Sequence, residues 1–380
     1  MANFIIITYN KSFDRINNSF IIGGLETYIQ DLARLILVTN HSVEIILPAD
    51  IDYTTVTTEA IPVRGIKLEN NSGRKLNQLL YDYAIKLIKN PEDRLIVATE
   101  QMAIKARHPQ VIAIQHGIGF DYPYSFQPKR EQKGRLIARL FKSLRCYLQA
   151  SRFNQYSNVV CVDYNYVNWY RTMDTIDEDT HIYVIPNYTS SLISKERILA
   201  KMTNRKDIKI IFARRFVDYR GTRIFINCVK RLLKQYDCVK ITFAGSGELE
   251  AEIRQVFEKE NRVDLTSFKP SESVNFHFDY DIAVVPTIFS EGTSLSLCEA
   301  MAAGCLPIVT FVGGMSNMIL DGYNGLMCYP SEDELYKTID NAIRMSPEKF
   351  NQTVLNARET VECSFSIDKW RKRWTEVLKL

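Results

Sequence analysis

No run of about 18 uncharged apolar residues, the length a membrane-spanning helix needs, occurs in this sequence. The first twelve residues, MANFIIITYNKS, lack a basic segment and a full apolar segment, so they do not read as a secretory signal. Eight cysteines are scattered from Cys146 to Cys363, and no two have C-x-x-C spacing. Several fall in apolar strand or helix patterns. Free thiols in a reducing compartment are therefore expected, not disulfides and not a zinc site. The G-x-G-x-x-G dinucleotide fingerprint is missing, as are low-complexity stretches and short repeats. A large charge excess is missing too. The net charge of +4 permits an acidic partner such as a phosphate or a lipid headgroup and gives no argument for nucleic acid. These absences point to a cytoplasmic protein.

What is present is alternation. At 380 residues the chain exceeds one typical core, so two domains are expected. Its 46% hydrophobic and 24% charged residues are ordinary for a globular protein. Apolar strand patterns occur at 4–8, 43–47, 95–99, 111–115, 159–162 and 182–185, with helical patterns at 24–38, 75–89 and 135–149. A polar, basic interval at 190–207 reads as a linker or surface helix. A second series follows, with strands at 208–213, 239–244, 282–285 and 307–312, and helices between them. The βα alternation predicts an α/β fold of two Rossmann-like halves facing a central cleft.

The segment from Asp281 to Gly325 organises the second half. Asp281–Pro286 reads as a buried parallel strand. A loop carrying Glu291 leads to a helix starting near Ser294, and Glu299 lies eight residues after Glu291. In such sheets ligands bind beyond the carboxyl ends of strands, at helix N-termini, which is where Glu291 and the amides of Gly292, Thr293 and Ser294 are expected. The two glutamates suit a general acid/base pair, but the intervening helix does not oblige them to face one bond. Ser296 and Glu299 also fit a capping box. Upstream, Arg214, Arg215 and Arg220 follow a strand, and two cations there suit a departing diphosphate, although a surface pair reads the same way. Gly245-Ser246-Gly247 follows the next strand and opens a helix, suiting a close nucleotide approach.

In the first half, Gly23-Gly24 opens a helix, Glu100-Gln101 ends a strand, and His116 ends another beside Gly117 and Gly119. A lone histidine is usually structural, but the glycines beside this one let a ligand approach. The triplets Asp50-Ile51-Asp52 and Asp279-Tyr280-Asp281 are discounted as metal sites, because one follows a proline and the other opens a buried strand.

Residues 129–152 hold Lys129, Arg130, Lys133, Arg135, Arg139, Lys142, Arg145 and Arg152 against the single acid Glu131. On a helical wheel Leu136, Ile137, Leu140, Phe141, Leu144, Tyr147 and Leu148 share one face, and Arg135, Arg139, Lys142 and Arg145 the other. Two readings stand: a core-packed helix with a solvated charged face, and a helix that docks on an anionic membrane surface.

Together these residues resemble the retaining glycosyltransferases of family four, which have the GT-B fold. The likeness is strongest over Asp281–Gly325, with its E-x7-E block and its Glu299-Ala-Met-Ala, Gly304-x-Pro, Gly313-Gly314 and Asn324-Gly-Leu elements. It extends to an R-x5-K-G element with Arg220 in place of lysine, to Gly245–Gly247, to Val184–Asn187 and to Gly23-Gly24. The resemblance implies an acceptor-binding domain at 1–189, a nucleotide-sugar-binding domain at 190–362 and a terminal helix at 363–380 that returns to the first. It implies that Arg214 and Arg220 hold the diphosphate, Glu291 the donor-sugar hydroxyls and Glu299 the ribose. Amides of Thr293, Ser294 and Leu295 would meet phosphate, Gly23, Gly24 and Gly245 would line the donor, and His116 would lie near the reacting carbon. No metal and no cofactor beyond the co-substrate is expected. The acceptor expected is a glycan or a lipid-linked hydroxyl in bacterial envelope polysaccharide synthesis, with the protein peripheral on the inner face of the cell membrane. The alternatives are a catalytically silent glycosyltransferase-like partner subunit, a sugar-nucleotide epimerase and a phosphorylase. Thr293-Ser294 stands where Phe-Gly is common, and Tyr188 where glycine is usual.

Overall fold

The computed structural model describes residues 2–9, 11, 13–21, 23–68, 73–99, 104, 107–117, 135–173, 178–202, 207–289 and 291–380. Glu100, Gln101, Gly119 and residues 129–134, which the sequence singled out, lie outside the described residues, as does Ser290. The chain divides into two compact units. One holds the residues up to His116, Lys133–Ile185 and Arg371–Leu380; the other holds Pro186–Trp370.

The first unit runs β1 (Asn3–Ile7), β2 (Phe13–Asp14), β3 (Ser19–Phe20), α1 (Gly24–Val38), β4 (Ser42–Ala49), β5 (Tyr53–Val56), β6 (Pro62–Lys67), α2 (Gly73–Ala84), β7 (Arg94–Val97), β8 (Val111–Gln115), α3 (Arg135–Phe153), β9 (Asn158–Cys161), α4 (Tyr164–Met173) and β10 (His181–Val184). Among the described residues its main sheet has eight strands in the order β10-β9-β8-β7-β1-β4-β6-β5. All neighbours are parallel except β5 and β6, which pair antiparallel at the edge. Ile6, Ile7, Ile45, Ile46, Leu95 and Ile96 are fully buried, as expected for strands covered on both faces. β5 alternates half-buried and exposed residues, so it carries no apolar run for a sequence reading to find.

The second unit runs α5 (Lys195–Met202), β11 (Ile208–Ala213), α6 (Thr222–Gln235), β12 (Val239–Ala244), α7 (Glu250–Phe257), β13 (Val263–Thr266), α8 (Ser273–Phe278), β14 (Ile282–Val285), α9 (Leu295–Ala302), β15 (Leu306–Thr310), β16 (Leu326–Cys328), α10 (Glu332–Ile343) and α11 (Pro347–Ser364). Its strands form a wholly parallel sheet in the order β13-β12-β11-β14-β15-β16. Stacked and tilted Phe212, Phe225 and Phe243 fill the layer between β11, β12 and α6. The polar interval at 190–207 contains α5, whose Lys201 ammonium donates to the carbonyls of Phe278, Tyr280 and Gly304.

The last helix, α12, spans Ile367–Leu378. Its two tryptophans are buried against different partners. Trp370 packs on Tyr188 with ring centroids 4.6 Å apart, which accounts for an aromatic side chain at that position. Trp374 donates its indole N–H to the Tyr28 hydroxyl at 2.9 Å, within the first unit. Asp281 accepts from the Lys209 amide at 2.8 Å, and Asp52 from the Lys67 amide at 2.7 Å. One carboxylate of each discounted triplet thus serves backbone, and Asp50 pairs with Lys11.

The apolar face of α3 does not pack into the core, which corrects the first of the two readings of that helix. Leu136 is 71% exposed, Leu140 63% and Tyr147 58%. Arg145, placed on the solvated face by the helical wheel, instead buries guanidinium nitrogens Nε and Nη2, and burial lowers its pKa. No helix among the described residues is long and apolar enough to cross a membrane.

Candidate active site

Four loops leave the carboxyl ends of β12, β11, β14 and β15, which are adjacent and parallel. The first residue after β11 is Arg214, and its side chain is only 6% exposed. Its guanidinium donates to Glu291 at 2.6 Å and to the Thr287 hydroxyl. Arg220 ends a short 3-10 turn over Asp218–Arg220 and donates to the same Glu291 oxygen. Its guanidinium carbon also sits 5.0 Å above the Tyr219 ring, a cation–π contact that steadies it. Thr287 completes the cluster, donating to Glu291 at 3.0 Å. Arg215 is exposed. Of the two adjacent arginines, Arg214 is therefore the one that joins the charged cluster.

The electrostatics of this cluster follow from its burial. Desolvation alone would raise the Glu291 pKa, but Arg214 and then Arg220 overcome it and hold the carboxyl below its ordinary value. Burial pulls the Arg214 pKa down, and Glu291 opposes the fall; a guanidinium stays charged regardless. Two cations share one anion, so the cluster keeps one uncompensated positive charge.

The glycines of the site make room for backbone. Gly245 sits at φ +150°, and a Cβ there would lie 2.2 Å from the Arg214 carbonyl oxygen. Gly313 sits at φ +52°, and its Cβ would lie 1.9 Å from the Glu291 carbonyl oxygen. Each glycine thus seats one charged residue of the cluster on the loop after the neighbouring strand.

Helix α9 is capped by Ser294, whose hydroxyl accepts from the Leu297 amide at 3.4 Å. The expected capping box does not form: Ser296 is not the cap, and Glu299 turns elsewhere. Its carboxylate accepts from the Ser273 hydroxyl at 2.6 Å. The Thr293 hydroxyl accepts from the Asn187 amide at 2.8 Å, so the Pro186-Asn187 crossing is tied to the loop before α9. Leu295 is the first residue of the helix.

These features have counterparts in known proteins. Residues 194–360 match the family model of glycosyl transferases, group 1. The fold is GT-B, and residues 194–360 are similar to the group 1 glycosyltransferases. An amylovoran biosynthesis glycosyltransferase of Erwinia amylovora is 26% identical over 205 residues, which are 51% of this chain and 50% of that protein. The chain thus spans about half the length of the curated relatives it matches. Among solved structures, a sucrose-phosphate synthase from Thermosynechococcus elongatus superposes with a TM-score of 0.71 at 15% identity, covering 100% of this chain and 98% of that one. HepE of Anabaena, in complex with UDP, gives 0.69 at 16% identity and covers both chains completely.

Sequence reasoning brought Arg214, Arg220 and Glu291 into one region, and the structure joins them in one hydrogen-bonded cluster. Glu299 lies apart from it, with Ser273. Thr287 and Ser273 were missed. Thr287 had a usable signal, since it stands four residues before Glu291 at the end of a buried strand. Ser273 had none, being 26 residues upstream of its partner on another helix. In the other unit, Gly23 caps α1 in extended conformation, φ −151°, and Gly24 is the helix's first residue. His116 Nε2 lies 3.0 Å from the Ala98 carbonyl oxygen, and its ring meets Tyr28 edge-on. A carbonyl only accepts, so Nε2 carries the proton. Burial pulls the pKa of His116 to about 4, leaving the imidazole neutral at pH 7.

Burial also pushes the Glu299 pKa up to about 7, against the hydrogen bond from Ser273. A carboxyl raised in the folded state contributes stability that is fully present below about 4.5 and is lost as pH rises through about 7. Glu299→Gln keeps an acceptor for Ser273 but cannot ionise. The variant's Tm is therefore expected to gain on the parent's between those two values and then level off. A Tm difference that does not vary with pH would contradict an elevated Glu299.

Proposed function

We propose that this protein transfers a sugar, with retention at the anomeric carbon, from a nucleoside-diphosphate sugar to a hydroxyl of a glycan or lipid-linked acceptor. Envelope polysaccharide synthesis is the setting that the amylovoran relative suggests. The observation that carries the reading is the Arg214–Glu291–Arg220 cluster in the domain over residues 194–360. Two guanidiniums held beyond parallel strand ends suit a diphosphate whose charge grows as the glycosidic bond breaks. With one carboxylate between them, they attract a further anion without both being left unpaired beforehand.

In this reading the donor diphosphate takes over Arg214 and Arg220 and frees Glu291 to accept from donor-sugar hydroxyls. Glu299 meets the ribose, and the amides of Thr293, Ser294 and Leu295 at the start of α9 meet phosphate. For Gly23 and Gly24 the reading keeps the donor-lining role that the resemblance implies, and for His116 that of a neutral imidazole near the reacting carbon. Among the described residues no carboxylate stands out as a nucleophile, so the front-face displacement that the resemblance implies fits, with the leaving phosphate accepting the acceptor's proton. Neither a metal nor a further cofactor is needed by the proposal. That HepE of Anabaena was crystallised with UDP makes uridine donors the first to try.

The test is donor hydrolysis followed by proton NMR. Retention predicts that an α-configured donor releases the α-anomer first. Early release of the β-anomer would exclude retention, and no release from any donor would favour the silent partner subunit.

A further inference from the structure

Helix α3 is 19 residues long, about 28 Å at 1.5 Å per residue, and one of its faces is apolar and exposed. Leu136, Ile137, Leu140, Leu144, Tyr147 and Leu148 lie within one arc of the helix and are 71%, 44%, 63%, 52%, 58% and 39% exposed. Single exposed apolar residues are ordinary, but a contiguous stripe of six marks a docking surface. Arg139, about 60° round the helix from its edge, and Lys142, on the opposite side, are exposed. The sequence of 129–152 carries eight lysines and arginines against one glutamate.

We infer that α3 is an interfacial helix that docks this protein on an anionic phospholipid surface. The leucine face enters the headgroup boundary, Arg139 at its flank meets lipid phosphates, and Lys142 adds longer-range attraction to the anionic surface. The chemistry is that of helices lying in the membrane plane: an apolar face for the acyl boundary and cations for the anionic headgroups. Self-association through the same face is disfavoured, because it would bring two strongly basic segments together with almost no acid to offset them. A lipid surface supplies both the apolar layer and the negative charge. The inference does not depend on the sugar-transfer reading, since no residue of α3 belongs to the charged cluster.

The experiment is flotation of the full chain with vesicles of equal parts phosphatidylglycerol and phosphatidylcholine, against vesicles of phosphatidylcholine alone. The parent protein is expected to float with the anionic vesicles and to stay behind with the neutral ones. Arg139→Gln/Lys142→Gln should lower partitioning about 30-fold, at ~1 kcal/mol per basic residue. Leu140→Ser/Leu144→Ser should lower it about 100-fold. Both replace exposed side chains, so the fold is retained, and an unchanged Tm checks this. Failure of the parent to bind anionic vesicles, equal binding to both vesicle types, or unchanged binding by the leucine variant would each overturn the inference. So would light scattering that shows a dimer in the parent and a monomer in the leucine variant, which would give the face to a second copy.

Discussion

Arg220→Ala is expected to lower the turnover of donor hydrolysis by about 100-fold or more while the chain stays folded. Arg220 is the more open of the two cations, 24% exposed against 6% for Arg214. Its removal leaves Glu291 paired with Arg214 and Thr287, so no buried charge is orphaned and Tm should shift little. The transition state is different. There a diphosphate gathers charge as the sugar leaves, and a preorganised guanidinium stabilises it more than it stabilises the bound donor. Arg220→Lys should recover part of the loss, because a point charge supplies attraction without the planar fork. Near-parental turnover in folded Arg220→Ala would remove Arg220 from the reaction.

Glu291→Gln should have the largest effect on stability. It removes the only anion in the cluster and leaves Arg214 buried beside Arg220 with like charges facing each other. Breaking a buried pair from one side costs about 3–5 kcal/mol. The same change predicts an unusual rescue. Pyrophosphate, which supplies the missing negative charge, should raise the Tm of Glu291→Gln more than that of the parent, since in the parent it must first displace the carboxylate. Chemical unfolding gives the first quantity and thermal unfolding with pyrophosphate the second. Equal stabilisation of both proteins would show that Glu291 does not occupy the anion's place.

How far the sequence reached depends on the range of the physics involved. β8, β11, β12 and β14 were legible to the residue, because strands buried on both faces are written as apolar runs. The edge strand β5 and the short β13 were not, since each packs on one side only and alternates half-buried with exposed residues. In the site, the family resemblance groups Arg214, Arg220 and Glu291, yet the fact that both arginines close on one carboxylate oxygen was not legible. That depends on β11 lying next to β14 in the sheet, which strand patterns do not fix. Gly245 reads in the sequence as room for a ligand, and its Cβ position shows that the room is taken by the Arg214 carbonyl. On α3, the helical wheel found the apolar face, but periodicity cannot say whether such a face is covered.

The central claim is that the domain over residues 194–360 binds a nucleoside-diphosphate sugar through the arginine–glutamate cluster. Thermal unfolding of the parent and of Arg220→Ala across UDP-, GDP-, dTDP- and ADP-sugars tests it most directly. Ligand that binds only the folded state raises Tm by mass action, by ~2.7 kcal/mol of stability at a concentration 100 times Kd. The account predicts that one nucleotide class raises the parent's Tm and that Arg220→Ala loses most of that rise. No rise with any donor, or the same rise in both proteins, would contradict it.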